Sequence, residues 1–171
     1  MKHKIAGLLP ACTMLTLGAG SALADYDLRI LHTNDVHDRV ESVTKYNNTC
    51  SVEDDADGKC FGGYARLATA IRDAKAQGGN VLALDGGDQF QGSLYYSTYR
   101  GQLTAQLMTM AGYDAMTIGN HEFDDGPEVL EAFIKASTVP VLSANVHPTA
   151  ASSLDGEIKP DIIIELGGEK I

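Results

Sequence analysis

Apolar runs alternate with stretches of helical periodicity along this chain. Short apolar runs predict five strands, at residues 28–31, 81–84, 115–118, 139–142 and 162–166. Apolar residues spaced three and four apart predict three helices, at residues 64–77, 102–111 and 127–137. Glycines at 78, 79 and 112 stand where helix ends are expected, and the polar stretch 147–160 is typical of a loop.

The order strand, helix, strand predicts an α/β fold with right-handed crossovers and a largely parallel sheet flanked by helices. Ligands of such sheets bind beyond the carboxyl ends of the strands. Polar clusters stand at these positions: "HTNDVHD" follows the first strand, "DGGDQFQG" the second, "GNHEFDDG" the third and "SANVH" the fourth. The pattern therefore predicts a functional site at this edge of the sheet.

The clusters contain the residue types that bind metal ions. Asp35 and His37 are separated by one residue, so in an extended segment both project to the same side. Asp88 arrives on a glycine turn, and Asn120 and His121 arrive on another. Carboxylate, imidazole and amide oxygen suit zinc, manganese or magnesium. One such cluster alone is also typical of an ordinary turn, but three clusters after successive strands favour a metal site.

Two metal ions in one site need a carboxylate between them, and Asp88 is the candidate bridge. His121 is then available as an electrostatic or acid/base group, with Asp124 three residues on to orient its imidazole. A histidine and an aspartate at this spacing are also common at helix starts, so the spacing alone leaves this dyad open.

Residues 1–24 have a basic start, an apolar stretch and a small-residue ending, which predict a signal peptide cleaved after Ala24 and a periplasmic or secreted protein. A membrane span is disfavoured by the Gly, Thr and Ser content of this segment, and a lipoprotein site at Cys12 would leave too short an apolar core. The formal net charge of −10 argues against a nucleic-acid partner.

Beyond Cys12 the chain has two cysteines, Cys50 and Cys60, which bracket an acidic loop. In an oxidising compartment the pair predicts a disulfide, whereas a structural zinc site would have half of its four ligands missing. Acidic residues at alternate positions in this loop also raise the alternative of a calcium site, although its twelfth position is Tyr64 rather than glutamate.

Five segments between Leu28 and Val146 resemble the metallophosphoesterase domain of the secreted 5′-nucleotidase family. They are "ILHTNDVHDRVE", "GGYARLATAI", "VLALDGGDQFQGS", "DAMTIGNHEFDDG" and "VLSANV". The resemblance implies a four-layer α/β/β/α domain, of which residues 25–171 would form the N-terminal part. It also implies a site with two divalent ions, which could be zinc, manganese, magnesium or cobalt.

Each site residue has an expected role by this resemblance. Asp35 and His37 would hold the first ion, Asp88 would bridge and Asn120 would hold the second. His121 and Asp124 would form a catalytic dyad that stabilises the phosphoryl transition state, and no phosphorylated enzyme would form. The acidic loop with Cys50 and Cys60 is similar to a cysteine-bracketed loop in the ecto-enzyme subgroup.

The expected activity is removal of phosphate from extracellular or periplasmic nucleotides. Alternatives in the same superfamily are hydrolysis of UDP-sugars or NAD, of cyclic nucleotides, and of thiosulfate esters. The family carries further histidine ligands and a base-binding C-terminal domain, which we expect beyond Ile171. A non-catalytic truncated remnant is the alternative of another class, and as a fragment the chain is expected to be inactive alone.

Overall fold

The computed structural model describes residues 25–171, so the predicted signal peptide lies outside the described residues. Within this range no helix combines the length and the apolar composition needed to cross a membrane.

Eight strands and five helices follow one another along the described part of the chain. The strands are β1 Leu28–Thr33, β2 Val43–Thr44, β3 Cys60–Phe61, β4 Asn80–Asp85, β5 Ala115–Thr117, β6 Val141–Leu142, β7 Glu165–Leu166 and β8 Glu169–Lys170. The helices are α1 Val52–Ala56, α2 Tyr64–Ala76, α3 Leu94–Tyr99, α4 Gln102–Ala111 and α5 Pro127–Ala136, and a 3₁₀ turn spans His121–Phe123.

The central sheet confirms the predicted parallel α/β architecture. Its four strands are all parallel and lie in the order β1-β4-β5-β6. Thr33 pairs with Asp85 at the carboxyl ends of β1 and β4, so the loops after these two strands leave the sheet side by side. Strand β4 is apolar on both faces, and Val81, Leu82 and Ala83 are buried, as expected for an inner parallel strand.

The hydrophobic core lies between the sheet and helices α2, α4 and α5. Phe90 and Phe133 are fully buried, and their ring centroids lie 5.2 Å apart in an edge-on arrangement. The Tyr96 ring also packs against Phe90, with the two ring centroids 4.9 Å apart. Because Phe90 belongs to the loop after β4, the core directly supports that loop.

The fifth predicted strand does not join the sheet, so this part of the prediction is wrong. Residues 165–166 instead pair with residues 169–170 in an antiparallel hairpin that reverses at two glycines with positive φ. Beside β6, the edge position is taken by the predicted loop: Lys159 bridges to Leu142, and the Ser143 amide donates to the Lys159 carbonyl at 2.9 Å. The free edge of β6, where a fifth strand would have to pair, is therefore already occupied by the segment around Lys159.

The acidic segment between the two cysteines forms helix α1 rather than an open loop. The Ser51 hydroxyl caps this helix by accepting from the Asp54 amide at 3.0 Å. Its carboxylates face cations of the chain, Asp55 pairing with Arg66. This helical geometry does not match the calcium-loop alternative. The flanking cysteines have their Cα atoms 6.0 Å apart, a separation that a disulfide spans, and their oxidised state stays a prediction.

Candidate metal centre

Three loops meet at the carboxyl edge of the sheet, after β1, β4 and β5. The first two are joined by backbone hydrogen bonds: the Asp35 amide donates to the Gly87 carbonyl at 3.0 Å, and the His37 amide donates to the Asp88 carbonyl at 3.1 Å. The predicted clusters from β1 and β4 therefore form one unit.

The loop after β1 is not extended, contrary to the expectation for Asp35 and His37. Their φ angles are 54° and 50°, in the left-handed region that non-glycine residues seldom adopt. Asp88, with φ of 55°, is in the same region. The two side chains still converge, because His37 Nε2 lies 3.6 Å from Asp35 Oδ1. Strained backbone of this kind is typical of functional sites whose surroundings hold it in place.

His37 presents a free nitrogen to the centre of the site. Its Nδ1 lies 2.9 Å from the Phe90 carbonyl oxygen, which can only accept, so Nδ1 is the nitrogen that carries the hydrogen. The lone pair of Nε2 is then available to a metal ion. Ligand atoms of His37, Asp88 and His121 all lie within 4.8 Å of one another.

The loops after β4 and β5 touch through two glycines. A Cβ on Gly87 would lie 2.3 Å from the Gly119 amide nitrogen, and a Cβ on Gly119 would lie 2.1 Å from Asp88 Oδ1. Gly119 has no positive φ, so this position requires space rather than an unusual backbone conformation. The contact brings Asn120 and His121 up to Asp88.

The surroundings of Asp88 fit a bound cation. Asp88 Oδ1 accepts from the His121 amide at 2.9 Å, and Asp88 Oδ2 lies 3.2 Å from the amide end of Asn120. If the Asn120 oxygen is turned toward Asp88, two oxygen atoms face each other, an arrangement that a cation between them would stabilise. If the amide nitrogen is turned there instead, it donates a hydrogen bond. Oxygen and imidazole donors of this kind suit a divalent ion.

His121 and Asp124 are in direct contact, which their spacing alone had left open. His121 Nδ1 lies 2.7 Å from Asp124 Oδ2, and the His121 ring stands 5.0 Å from the His37 ring. The hydrogen bond with Asp124 raises the pKa of His121 above its ordinary value, with smaller contributions from the charges of Asp124, Asp88 and Glu122. Asp124 therefore stabilises the protonated imidazole relative to that of an isolated histidine, while burial opposes this effect.

Sequence reasoning missed Glu122, which is fully buried at this edge. Its Oε1 accepts from the amides of Gln89 at 2.7 Å and Phe90 at 3.2 Å. Its Oε2 accepts from the amides of Asp88 at 3.0 Å and Gly119 at 2.6 Å. The sequence signal that could have indicated Glu122 is its position in "GNHEF", where an acidic residue stands between a turn and a residue of apolar type.

Asp85 is a second buried carboxylate that the sequence did not single out. Its Oδ2 accepts from the Thr33 hydroxyl at 2.6 Å and from the side-chain amide of Gln89 at 2.8 Å, and its Oδ1 accepts from the backbone amide of Gly87 at 2.9 Å. Burial raises the pKa of Asp85, and these hydrogen bonds oppose that shift. The network ties the end of β1 to the turn that carries Asp88.

Residues 28–170 match the family model described as calcineurin-like phosphoesterase. Among curated proteins, the snake venom 5′-nucleotidase of Gloydius brevicauda is 42% identical over 170 residues, which cover 98% of this chain and 27% of that protein.

Two solved structures are similar to this fold. The 5′-nucleotidase precursor from Thermus thermophilus has a TM-score of 0.72 and 37% identity, over 84% of this chain and 27% of that one. The NAD nucleotidase of Haemophilus influenzae has a TM-score of 0.72 and 33% identity, over 84% of this chain and 25% of that one. The chain thus spans about a quarter of the length of these relatives.

Proposed function

Because the chain belongs to the calcineurin-like phosphoesterase family, we propose that it carries the metal centre of a divalent-metal-dependent hydrolase that removes phosphate from 5′-nucleotides. The observation that carries this proposal is the convergence of His37, Asp88 and His121, whose ligand atoms lie within 4.8 Å of one another. The similarity to 5′-nucleotidases supports the nucleotide as substrate.

The proposed ligand set follows from the three loops. Asp35 and His37 would hold one ion, Asn120 would hold the other and Asp88 would contact both. Such a pair of ions would supply an activated water and neutralise charge on the phosphate. The chain's part is to fix the ligands beforehand, which the left-handed backbone at Asp35, His37 and Asp88 supports.

His121 acts on the phosphoryl group in this proposal. Its Nδ1 is held by Asp124, so Nε2 is the nitrogen left for the substrate. The distribution of negative charge on the phosphoryl oxygens changes during transfer. A protonated imidazole next to these oxygens stabilises the transition state. The raised pKa of His121 supports this role. Asp124 orients the ring and favours its protonated form.

The proposal includes the location and domain organisation expected from the sequence. Residues 1–24 direct the protein to the periplasm or the outside of the cell, and residues 25–171 form the N-terminal part of the metallophosphoesterase domain. Contacts to the nucleoside then come from other parts of the full-length protein. The similarity to a snake venom protein supports secretion.

Metal depletion and reconstitution of the purified full-length protein test this function. We expect chelator treatment to abolish phosphate release from AMP, and zinc, manganese, magnesium or cobalt to restore it. A chelated, metal-free protein that still hydrolyses AMP at the original rate would contradict the metal centre. A reconstituted protein that binds metal but leaves AMP intact would contradict the substrate.

Cleavage of NAD or a UDP-sugar at the pyrophosphate is the second candidate, and the similarity to the NAD nucleotidase supports it. The specificity constants kcat/KM for AMP, NAD, UDP-glucose and a cyclic nucleotide should be compared under identical metal conditions. A value of kcat/KM for NAD or UDP-glucose about tenfold above that for AMP corresponds to about 1.4 kcal/mol of additional transition-state stabilisation. In that case the second candidate replaces the first.

A further inference from the structure

We infer that Glu122 is a positioning residue that holds the three ligand-bearing loops in register and fixes the tautomer of His37. The inference deepens the proposed metal centre and rests on it. It follows from the contacts of one buried side chain rather than from any property of its sequence neighbours.

Glu122 is fully buried, and among residues 25–171 no lysine or arginine forms an ion pair with it. An unpaired buried carboxylate is costly unless hydrogen bonds to the charged form compensate. Here four backbone amides donate to its two oxygens, at 2.6 to 3.2 Å. Every donor is a backbone group, so the carboxylate constrains the path of the loops themselves.

Glu122 and Asp88 both link the loop after β4 to the loop after β5, each by accepting a hydrogen bond from the loop to which it does not belong. Glu122, which follows β5, accepts from the amide of Asp88 in the loop after β4. Asp88 in turn accepts from the amide of His121 in the loop after β5. Each carboxylate thus crosses to the other loop. The distance between the bridging ligand and Asn120 is set by this reciprocal pair.

The same carboxylate reaches the loop after β1 through Phe90. Glu122 Oε1 accepts from the Phe90 amide, while the carbonyl of Phe90 accepts from His37 Nδ1 at 2.9 Å. Movement of residue 90 would remove the acceptor that keeps the hydrogen on Nδ1. The nitrogen that His37 offers to a metal therefore depends on Glu122, although the two side chains are not in contact.

Replacement by glutamine keeps the shape but turns one acceptor into a donor. Whichever way the amide of Glu122→Gln lies, its nitrogen faces two backbone N–H groups, which leaves them without an acceptor. We expect metal affinity to fall by about 10- to 100-fold, the range for groups that orient metal ligands. The value of kcat should fall with it, and KM for the nucleotide should change little.

The test compares three variants of the full-length protein, Glu122→Gln, Glu122→Asp and the matched control Glu128→Gln, which makes the same change at an exposed position. Manganese titration by calorimetry measures affinity. Nitrogen-15 NMR of histidine-labelled, metal-free protein reports which nitrogen of His37 carries the hydrogen. We expect Glu122→Gln to lose both affinity and the Nδ1–H signature, Glu122→Asp to lose less, and Glu128→Gln to match the wild type.

A folded Glu122→Gln protein with unchanged affinity and an unchanged His37 tautomer would overturn the inference. If that variant fails to fold, Glu122→Asp decides: wild-type affinity and tautomer in it would also overturn the inference. Met108→Ala, which truncates a buried core residue of α4, shows what destabilisation alone does. The NMR and the titration use no nucleotide, so they remain decisive if the protein hydrolyses a different phosphoester.

Discussion

Two acidic regions of this molecule have similar compositions and different structures. The segment around α1 contains Glu53, Asp54, Asp55 and Asp57, and the carboxyl edge of the sheet contains Asp35, Asp85, Asp88 and Glu122. In the α1 segment, Asp55 and Asp57 have side chains 51% and 62% exposed, and they pair with Arg66 and Lys59. At the sheet edge, Asp85 and Glu122 are buried and accept from backbone amides of neighbouring loops.

The difference shows that acidity by itself does not make a metal site. Exposed ion pairs contribute about 0 to 1 kcal/mol and leave the carboxylates mobile. Buried carboxylates with several amide donors hold their charge and the backbone around them. At the sheet edge, Asp85 and Glu122 therefore fix the loops that carry the proposed ligands before a metal ion arrives. Substitutions at the sheet edge can be measured against matched substitutions in the α1 segment.

The largest effect is expected for Asp88→Asn in the full-length protein. Asparagine removes the negative charge of the proposed bridge, so the repulsion between two dications would no longer be offset. We expect both ions to be lost and phosphate release to fall by about 1000-fold or more, several kcal/mol of transition-state stabilisation. His37→Ala should cost less because His37 is proposed to contact one ion only.

Metal content by elemental analysis and kcat with AMP measure both variants. Asp55→Asn in the α1 segment is the matched control and should leave both unchanged. Equal losses in Asp88→Asn and His37→Ala would show that Asp88 does not bridge.

The second prediction concerns His121→Ala, which removes the group proposed to act in the transition state. We expect kcat to fall by about two to four orders of magnitude, with little change in metal stoichiometry or KM. Asp124→Asn should follow the same pattern more mildly. If the variant loses a metal ion but kcat per bound pair of metal ions stays normal, His121 is a ligand rather than a catalytic residue.

The third prediction compares two glycines, one in each region. A Cβ on Gly119 would lie 2.1 Å from Asp88 Oδ1, so Gly119→Ala must displace the Asp88 carboxylate. We expect metal affinity to fall by about 10- to 100-fold, as for other changes that misplace a ligand. Gly58→Ala meets no atom within 4 Å, although its φ of +70° makes alanine unfavourable by about 1 to 2 kcal/mol.

Calorimetric metal titration and thermal unfolding of both glycine variants separate these effects. Gly58→Ala should lose stability and keep its metal affinity. A Gly119→Ala protein that binds metal normally would mean that the loops after β4 and β5 can move apart without cost.

The smallest effect on activity is expected for the double variant Cys50→Ser, Cys60→Ser. Loss of a disulfide that closes this short loop should lower the free energy of unfolding by about 2 to 3 kcal/mol in the chain-entropy model. The value of kcat should stay close to wild type, because the sheet edge is held by its own hydrogen bonds. Urea unfolding measures the first quantity. An unchanged unfolding free energy would contradict the predicted disulfide, and a large loss of kcat would show that this segment shapes the site.

Most of the central fold was predictable from local patterns. Helices α2, α4 and α5 were predicted to within one residue at their ends, because apolar spacing and flanking glycines mark them. Helix α3 was missed, since its sequence "LYYSTY" is rich in aromatic and hydroxyl residues that favour helices weakly. It forms because Ser93 caps it and Tyr96 is buried in the core.

The sequence alone determined that the parallel sheet brings Asp35, His37, Asp88 and Asn120 to one edge, because parallel strands end on the same side. Only the tertiary structure decided how those residues are held. The left-handed loop after β1, the Nδ1–H of His37 and the four donors to Glu122 all depend on backbone groups from loops far apart in sequence. The backbone amide is the same chemical group in every residue except proline. The pattern of residue types therefore does not indicate which carboxylate a given amide will bind.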